Sequence, residues 1–407
     1  MGLEGMCGGS SFNGKAKASN EGVPDHIDDL IAEYHFKTVT DNDEMWYYNK
    51  KKGIFMPKAE YIIKETLQSR FGRDLTNQLV NEDIGQIQRS TYINREAFNH
   101  DISWLATKNC MVNLITGETR PFDPGFLCTI QIPVIYDHGY PLGTVSDFFR
   151  LVEGRSKIMK FLHDIMSDED VELFLDFLAY CLWREYKFNF WMLFNGAGLN
   201  GKSVLLSLLE RFLGVANVSG ETLDRLLHNR FAVASLYHKL LNVDADISPD
   251  VIFNNTGILK KLTGNDLHTG EFKFKDQFKF RNYAKLIFSC NKIPQSEDYT
   301  DAFVRRIFII NFTQQFLGEK DDPYIIDKIS TEEEFSGLFH ELLGRLPRIL
   351  EHGLRKITSE SMADTYDKYT RGSDPIKYFT EKALKEAIGE KVSKMDMYDH
   401  YHKFCAM

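Results

Sequence analysis

A glycine-rich turn between an apolar run and an amphipathic one constrains this chain more than any other feature. Residues 194–203 read FNGAGLNGKS. Within them, Gly196-Ala197-Gly198-Leu199-Asn200-Gly201-Lys202-Ser203 fits G-x-x-x-x-G-K-S/T at every fixed position. The preceding run, NFWMLFN (189–195), has the pattern of a buried strand; KSVLLSLLERFLG (202–214) is an amphipathic helix ending at Gly214. Glycines at such a turn let backbone N–H groups wrap a phosphate, and the helix N-terminus adds partial positive charge. Lys202 then reaches the β- and γ-phosphates, and the Ser203 hydroxyl ligates Mg²⁺. The expected cofactors are ATP and Mg²⁺, cradled by residues 196–203. The plainer alternative is a tight turn with a chance lysine, and the full match with both flanks outweighs it.

A phosphate cradle names no reaction, so the remaining parts must come from the same sheet. Between 187 and 315, short apolar strands alternate with helical stretches, which predicts a sheet covered by helices. SLYHKLLNVDADIS (235–248) ends a strand in Asp244 and Asp246. Two apart in extended chain, both face the same way and suit Mg²⁺, with Asp244 on the metal, and an attacking water. AKLIFSCN (284–291) ends in Asn291, whose amide can orient that water. DAFVRRIFIINF (301–312) puts Arg305 and Arg306 before a fourth β-branched run. An arginine there can act as a finger on a neighbouring subunit's nucleotide, an effect worth ~10³–10⁵ in rate. Each residue has a bland counterpart: turn aspartates, a loop amide, a surface ion pair.

GEFKFKDQFKFRNYAK (270–285) alternates with period two. Phe272, Phe274, Phe278 and Phe280 share one parity; Lys273, Lys275 and Lys279 share the other. The pattern predicts a β-hairpin turning near Asp276-Gln277, with an aromatic inner face and a basic comb suited to single-stranded DNA. A merely solvated lysine face is the alternative.

Length and composition set the frame. A chain of 407 residues has room for two or three domains. Its six cysteines are scattered without a C-x-x-C pair, which argues against a zinc module or a disulfide framework and for a reducing, cytoplasmic setting. With a net charge of −9, nucleic-acid binding has to come from a local patch. The apolar runs fall short of the ~20 residues of a membrane span, so no membrane partner is expected. Met6 breaks the myristoylation pattern, and no secretion leader follows Met1. The expected organisation is a disordered tail (1–23), an N-terminal α/β domain (24–150), a helical segment (151–187), an ATPase domain (188–330) and a helical C-terminal segment (331–407). Within it, SDEDVELFLDFLAYCLWREY (167–186) reads as one helix capped by Ser167, and 109–125 as a hairpin turning at Gly117.

Taken in order, these parts resemble the superfamily 3 helicases, most closely the primase-helicase branch of phages, plasmids and poxviruses. The matching residues are the loop at 196–203, Asp244 and Asp246, LTGND (262–266), FSCNKIP (288–294) and D-x-F-x-R-R (301–306); residues 110–137 resemble the domain preceding the helicase core. The resemblance implies an AAA+ type P-loop core with a central parallel sheet. It implies ATP bound between subunits of a homo-hexameric ring, and a hairpin that draws single-stranded DNA through the channel, typically 3′ to 5′. Lys202 and Ser203 take the phosphates and Mg²⁺, Asn291 is the sensor, Arg306 the trans-acting finger, and Lys273 and Lys275 the hairpin lysines. Relatives commonly carry Glu at the position of Asp246, so Asp244 stands as an alternative base. They often carry a primase domain upstream, for which the first 60 or so residues here are too short, so a separately encoded primase or polymerase is an expected partner. The C-terminus resembles an incomplete winged helix, as in a fragment or a split gene product. The expected function is an ATP-dependent DNA helicase of a phage, virus or plasmid replication system. A packaging motor, a small-molecule kinase, or an origin binder that uses ATP only to assemble are the rivals.

Overall fold

The computed structural model describes residues 26–137, 156–247, 256–273, 276–294, 303, 306–318, 322–354, 367 and 375–406, except 386, 388 and 390. The expected tail at 1–23, Lys275, Phe274 and Arg305 lie outside the described residues.

The first part is mixed α/β. Helix α1 (His26–Tyr34) is followed by β1 (Lys37–Val39), β2 (Met45–Asn49), β3 (Ile54–Pro57), α2 (Ala59–Phe71), α3 (Asn77–Ser90) and β4 (Tyr92–Ile93). They form a sheet in the order β3-β2-β1-β4, with only the β1–β4 pair parallel. A smaller antiparallel sheet joins β5 (Trp104–Ala106), β6 (Met111–Asn113) and β7 (Thr119–Arg120). Its β6–β7 turn passes through Gly117, where the sequence places the turn, at φ 69°, a left-handed conformation that favours glycine.

Two helices lead into the main sheet: α4 (Lys157–Ile165) and α5 (Asp168–Cys181). The Ser167 hydroxyl caps α5 by accepting the Asp170 N–H at 3.2 Å. The helix ends at Cys181 rather than continuing to Tyr186; beyond it Tyr180 Oη accepts the N–H groups of Lys187 and Phe188 and turns the chain toward the sheet. Nearly all of α5 is buried. Phe174 and Phe177 meet Phe194 and Phe190 at 6.4 and 5.9 Å, burials worth about 1.5–3 kcal/mol each.

The sheet itself contains β8 (Trp191–Asn195), β9 (Val218–Ser219), β10 (Leu241–Asp244), β13 (Lys285–Cys290) and β14 (Ile307–Asn311). All five are parallel, in the order β14-β8-β13-β10-β9. Numbered along the chain within this sheet, the order is 5-1-4-3-2. Between these strands run α6 (Lys202–Leu213), α7 (Leu223–His228), α8 (Gly257–Leu262) and a hairpin of β11 (Leu267–Gly270) and β12 (Phe278–Arg281). Central β13 is buried at every position, as a strand covered on both faces must be. After β14 come α9 (Ile325–Ile329), α10 (Glu332–His352), α11 (Pro375–Ala383) and α12 (Lys394–Ala406). Phe379 joins the last two, 5.3 Å from both Tyr401 and Phe404.

The α5–α10 contact holds a buried charge cluster. Arg345 bonds Glu172 at 2.9 Å, Asp176 at 3.1 Å and also Glu341; Arg348 bonds Asp176 at 2.5 Å. Three acids thus share two cations. Glu341 is pushed up from 4.5 to about 7, first by burial, against the pull of Arg345, with Glu172 and Asp176 adding. The neutral form is favoured in the fold. Its stabilisation is complete below the ordinary glutamate range and is lost as pH rises through about 7. Stability should therefore fall by roughly 1–3 kcal/mol over that window, and Glu341→Gln should flatten the fall. Urea unfolding at several pH values checks this; identical pH slopes for variant and wild type would show that Glu341 ionises normally.

Candidate active site

Strand β8 delivers the glycine turn at its carboxyl end, between β13 and β14, where the chain's strand order reverses. The turn is held from several sides. A Cβ at Gly196 would meet the Phe312 carbonyl at 2.5 Å, so only glycine passes there. Gly201, at φ 84°, has Ile165 of α4 at 2.7 Å from where a Cβ would stand. The Leu199 carbonyl accepts the Phe316 N–H at 2.8 Å, and the Asn200 amide donates to the Ala197 carbonyl. The Ser203 side chain is exposed at the start of α6.

Lys202 is buried beneath the turn. Its ammonium donates to the carbonyls of Gly196 and Cys290, the latter at 2.8 Å, and to Asn291 Oδ1 at 3.3 Å. Burial lowers its pKa, while Cys290 and Asp246 oppose this. The register explains the meeting: Cys290 of β13 lies opposite Asn195 of β8, so Asn291 emerges beside Gly196.

The two aspartates separate. Strand β10 ends at Asp244, so the alternation that would put both on one side stops there. Asp244 is buried; its Oδ2 accepts the Leu223 N–H of α7 at 2.7 Å and its Oδ1 the Asp246 N–H at 3.4 Å. Burial raises its pKa, with those N–H bonds opposing. Asp246 is exposed and close enough to act on the Lys202 charge. The loop, Lys202, Asn291 and Asp246 therefore converge, whereas Asp244 serves a helix start.

Arg306 does not join them. Its carbonyl accepts the Trp191 N–H at 2.8 Å, at the amino end of β8. A five-residue strand at about 3.3 Å per residue leaves roughly 16 Å between that end and the loop.

The hairpin is half as expected. Only 278–281 alternates in a strand: Phe278 and Phe280 are buried, Lys279 and Arg281 exposed. Its partner strand is Leu267–Gly270, earlier than the Phe/Lys run predicts, because Gly270 pairs with Phe278 and gives its ring room at 2.6 Å. Phe272 and Lys273 fall in the connection and are exposed. Phe278 carries the Arg95 guanidinium 4.5 Å from its ring centroid, and Arg95 is held by Asp41 at 2.8 Å.

Lys285 and Arg184 are among the buried cations that sequence reasoning passes over, with Arg95 and Arg345. Lys285 donates to the Trp183, Glu185 and Tyr283 carbonyls at 2.6, 2.9 and 3.0 Å, over the Tyr180 ring; burial lowers it to about 7. Arg184 lies at the end of the α5 stretch. In the sequence both read as ordinary surface charges at element ends.

Two family models divide the chain. Residues 25–178 match the one described as D5 N terminal like, and residues 194–306 match a family of unknown function, DUF5906. "Putative helicase L207/L206" of Acanthamoeba polyphaga mimivirus is 28% identical over 170 residues, covering 40% of this chain and 17% of that protein. "Putative helicase 184R" of Invertebrate iridescent virus 6 is 29% identical over 197 residues, covering 44% and 19%. The matched region is thus less than a fifth of the length of these relatives. The apo structure of the NrS-1 C terminal region (305–718) superposes with a TM-score of 0.54 at 13% identity, covering 93% of this chain and 85% of that one. The chain is therefore similar to viral D5-type, helicase-like proteins and shares a mixed α/β fold with the NrS-1 region. No helix among the described residues is long and apolar enough to cross a membrane.

Proposed function

We propose that this chain is the ATP-hydrolysing motor of a viral or plasmid replication helicase of superfamily 3, working as a ring on single-stranded DNA. The observation that carries the reading is the glycine loop at the carboxyl end of β8 in a 5-1-4-3-2 parallel sheet, with Lys202 beneath it and Asn291 beside it. An all-parallel sheet agrees with the central parallel sheet that the resemblance implies.

In this reading the loop N–H groups and Lys202 hold the β- and γ-phosphates of ATP. Lys202 exchanges its present carbonyl partners for phosphate oxygens. The exposed Ser203 hydroxyl is the side chain fit to hold Mg²⁺, which otherwise takes water and phosphate oxygens there. Bound there, Mg²⁺ would neutralise charge developing on the phosphates. Asp246 accepts the proton of the attacking water, Asn291 orients that water, and Asp244 positions α7. Asp244, as a metal carboxylate or the alternative base, is disfavoured by its engaged oxygens.

Arg306 stands too far from its own loop to act there, which favours a finger supplied across a subunit interface. The hairpin lysines Lys273 and Lys279, with Lys275, contact the DNA backbone. Hexamer formation, DNA as the track, and a separate primase or polymerase partner rest on the resemblance.

Unwinding of forked DNA with and without ATP tests the reading directly. Mixing Arg306→Ala protein with Lys202→Ala protein tests the interface: partial recovery of hydrolysis is expected, because some mixed interfaces pair the two intact halves. No recovery in mixtures that demonstrably co-assemble would remove the trans finger from the mechanism.

A further inference from the structure

A cavity of about 400 Å³ lies between the first part of the chain and the root of the hairpin, and it shares no lining residue with the phosphate loop. Its wall joins Arg184, Tyr283 and Phe98 to Lys279, Phe280 and Arg281. Glu96 is the one carboxylic acid in that lining.

Arg184 is the anomaly. It is 5% exposed, and its Nη2 donates to the carbonyls of Asp101 at 2.8 Å and Trp104 at 2.7 Å. Its Nε and Nη1 have no partner among the described residues. The Tyr283 hydroxyl is also buried with no partner among the described residues. The two are neighbours: burial pushes the phenol up, and Arg184 is the cation that opposes this. Enclosing a guanidinium without an anion is expensive, and removing it from water makes sense where an anion completes it. At the hairpin root, Lys279 and Arg281 add two exposed cations.

Charge alone would suit any small anion. The rings narrow the choice, because Phe98 and Phe280 give the same cavity flat apolar walls. A phosphate joined to a planar base uses both features: bases stack on aromatic side chains regardless of sequence while cations take the backbone. The volume is also within the range of small-ligand sites. We propose that this cavity binds one nucleotide unit, with phosphate toward Arg184 and Arg281 and the base against Phe98 and Phe280. A free mononucleotide and one residue of a single strand present the same chemistry. The proposal does not depend on ATP hydrolysis.

The test uses the full chain carrying Lys202→Ala, which disables the phosphate loop. Binding of thymidine monophosphate is followed by calorimetry, and binding of a fluorescein-labelled oligothymidylate by anisotropy. Tyr283→Phe keeps the ring and removes only an unpartnered hydroxyl, so the thermal midpoint should hold. Arg184→Lys keeps the charge and loses the fork. Each is expected to weaken binding by about tenfold, roughly the worth of one charge-assisted or well-placed hydrogen bond. Displacement of the mononucleotide by the oligonucleotide would identify the strand as the source; binding of the mononucleotide without such competition would identify a free nucleotide. Unchanged affinity for both probes in the well-folded Tyr283→Phe and Arg184→Lys proteins would overturn the proposal. So would inorganic phosphate competing as well as the mononucleotide, since the rings would then contribute nothing.

Discussion

Lys202→Ala is expected to reduce ATP hydrolysis by at least ~10²–10³-fold, the scale of losing one preorganised donor to developing charge. Lys202 is the ammonium that bonds the Gly196 and Cys290 carbonyls and the Asn291 amide oxygen beneath the loop. The substitution also has a structural cost. It takes the ammonium donor from the Gly196 carbonyl and leaves the Cys290 carbonyl with the Gly196 N–H alone, worth about 1–3 kcal/mol where water does not replace it. The two effects separate experimentally. Phosphate-release kinetics report the chemistry, and thermal unfolding without nucleotide reports the fold. A well-folded Lys202→Ala protein hydrolysing ATP at the wild-type rate would end the reading of 196–203 as a catalytic cradle.

The second large effect is expected far from that loop. Arg345→Met should destabilise the α5–α10 contact by about 3–5 kcal/mol, the usual cost of removing one partner from a buried ion pair. Arg345 is 6% exposed, and it is the group that answers Glu172, Asp176 and Glu341 together. Without it, Asp176 keeps Arg348, but Glu341 keeps no cation among the described residues. Arg348→Met is the internal comparison: its side chain is 32% exposed and, among the described residues, it bonds Asp176 alone, so it should cost clearly less. Denaturant midpoints for the two variants give the answer, and equal losses would mean that the cluster is not organised around Arg345.

The parts of the fold legible in the sequence are those where one residue type has one possible job. The strand, turn and helix around 196–203 follow from glycine geometry and the position of Lys202, and four strands of the main sheet are visible as short apolar runs. The fifth, β9, is two residues long and leaves no periodic trace. The first sheet is built from strands of two to five residues, too short for alternation to speak. The Asp244–Asp246 pair reads as continuing strand, but β10 ends at Asp244 although β13 beside it runs on to Cys290, because the Asp244 carboxylate takes the Leu223 and Asp246 N–H groups, a long-range pairing that composition does not encode. The Phe/Lys run misled in its first half for a similar reason: Gly270 ends the pairing, and alternation without a partner is not a strand. Arg184 and Lys285 were invisible because a long cationic side chain at an element end looks the same whether it meets water or a ring of carbonyls.

The root of the hairpin has a mechanical meaning. Phe278 sits against Arg95, which belongs to the first part of the chain and is tied by Asp41 to the turn after β1. A hairpin root fixed in this way has two anchors: one leads through β13 to the loop, the other through Arg95 and Asp41 to the four-stranded first sheet. Tension applied to the hairpin would divide between them. Under the proposed motor reading the first part of the chain is a brace rather than a passenger, and loosening Arg95 is expected to cost force before it costs hydrolysis.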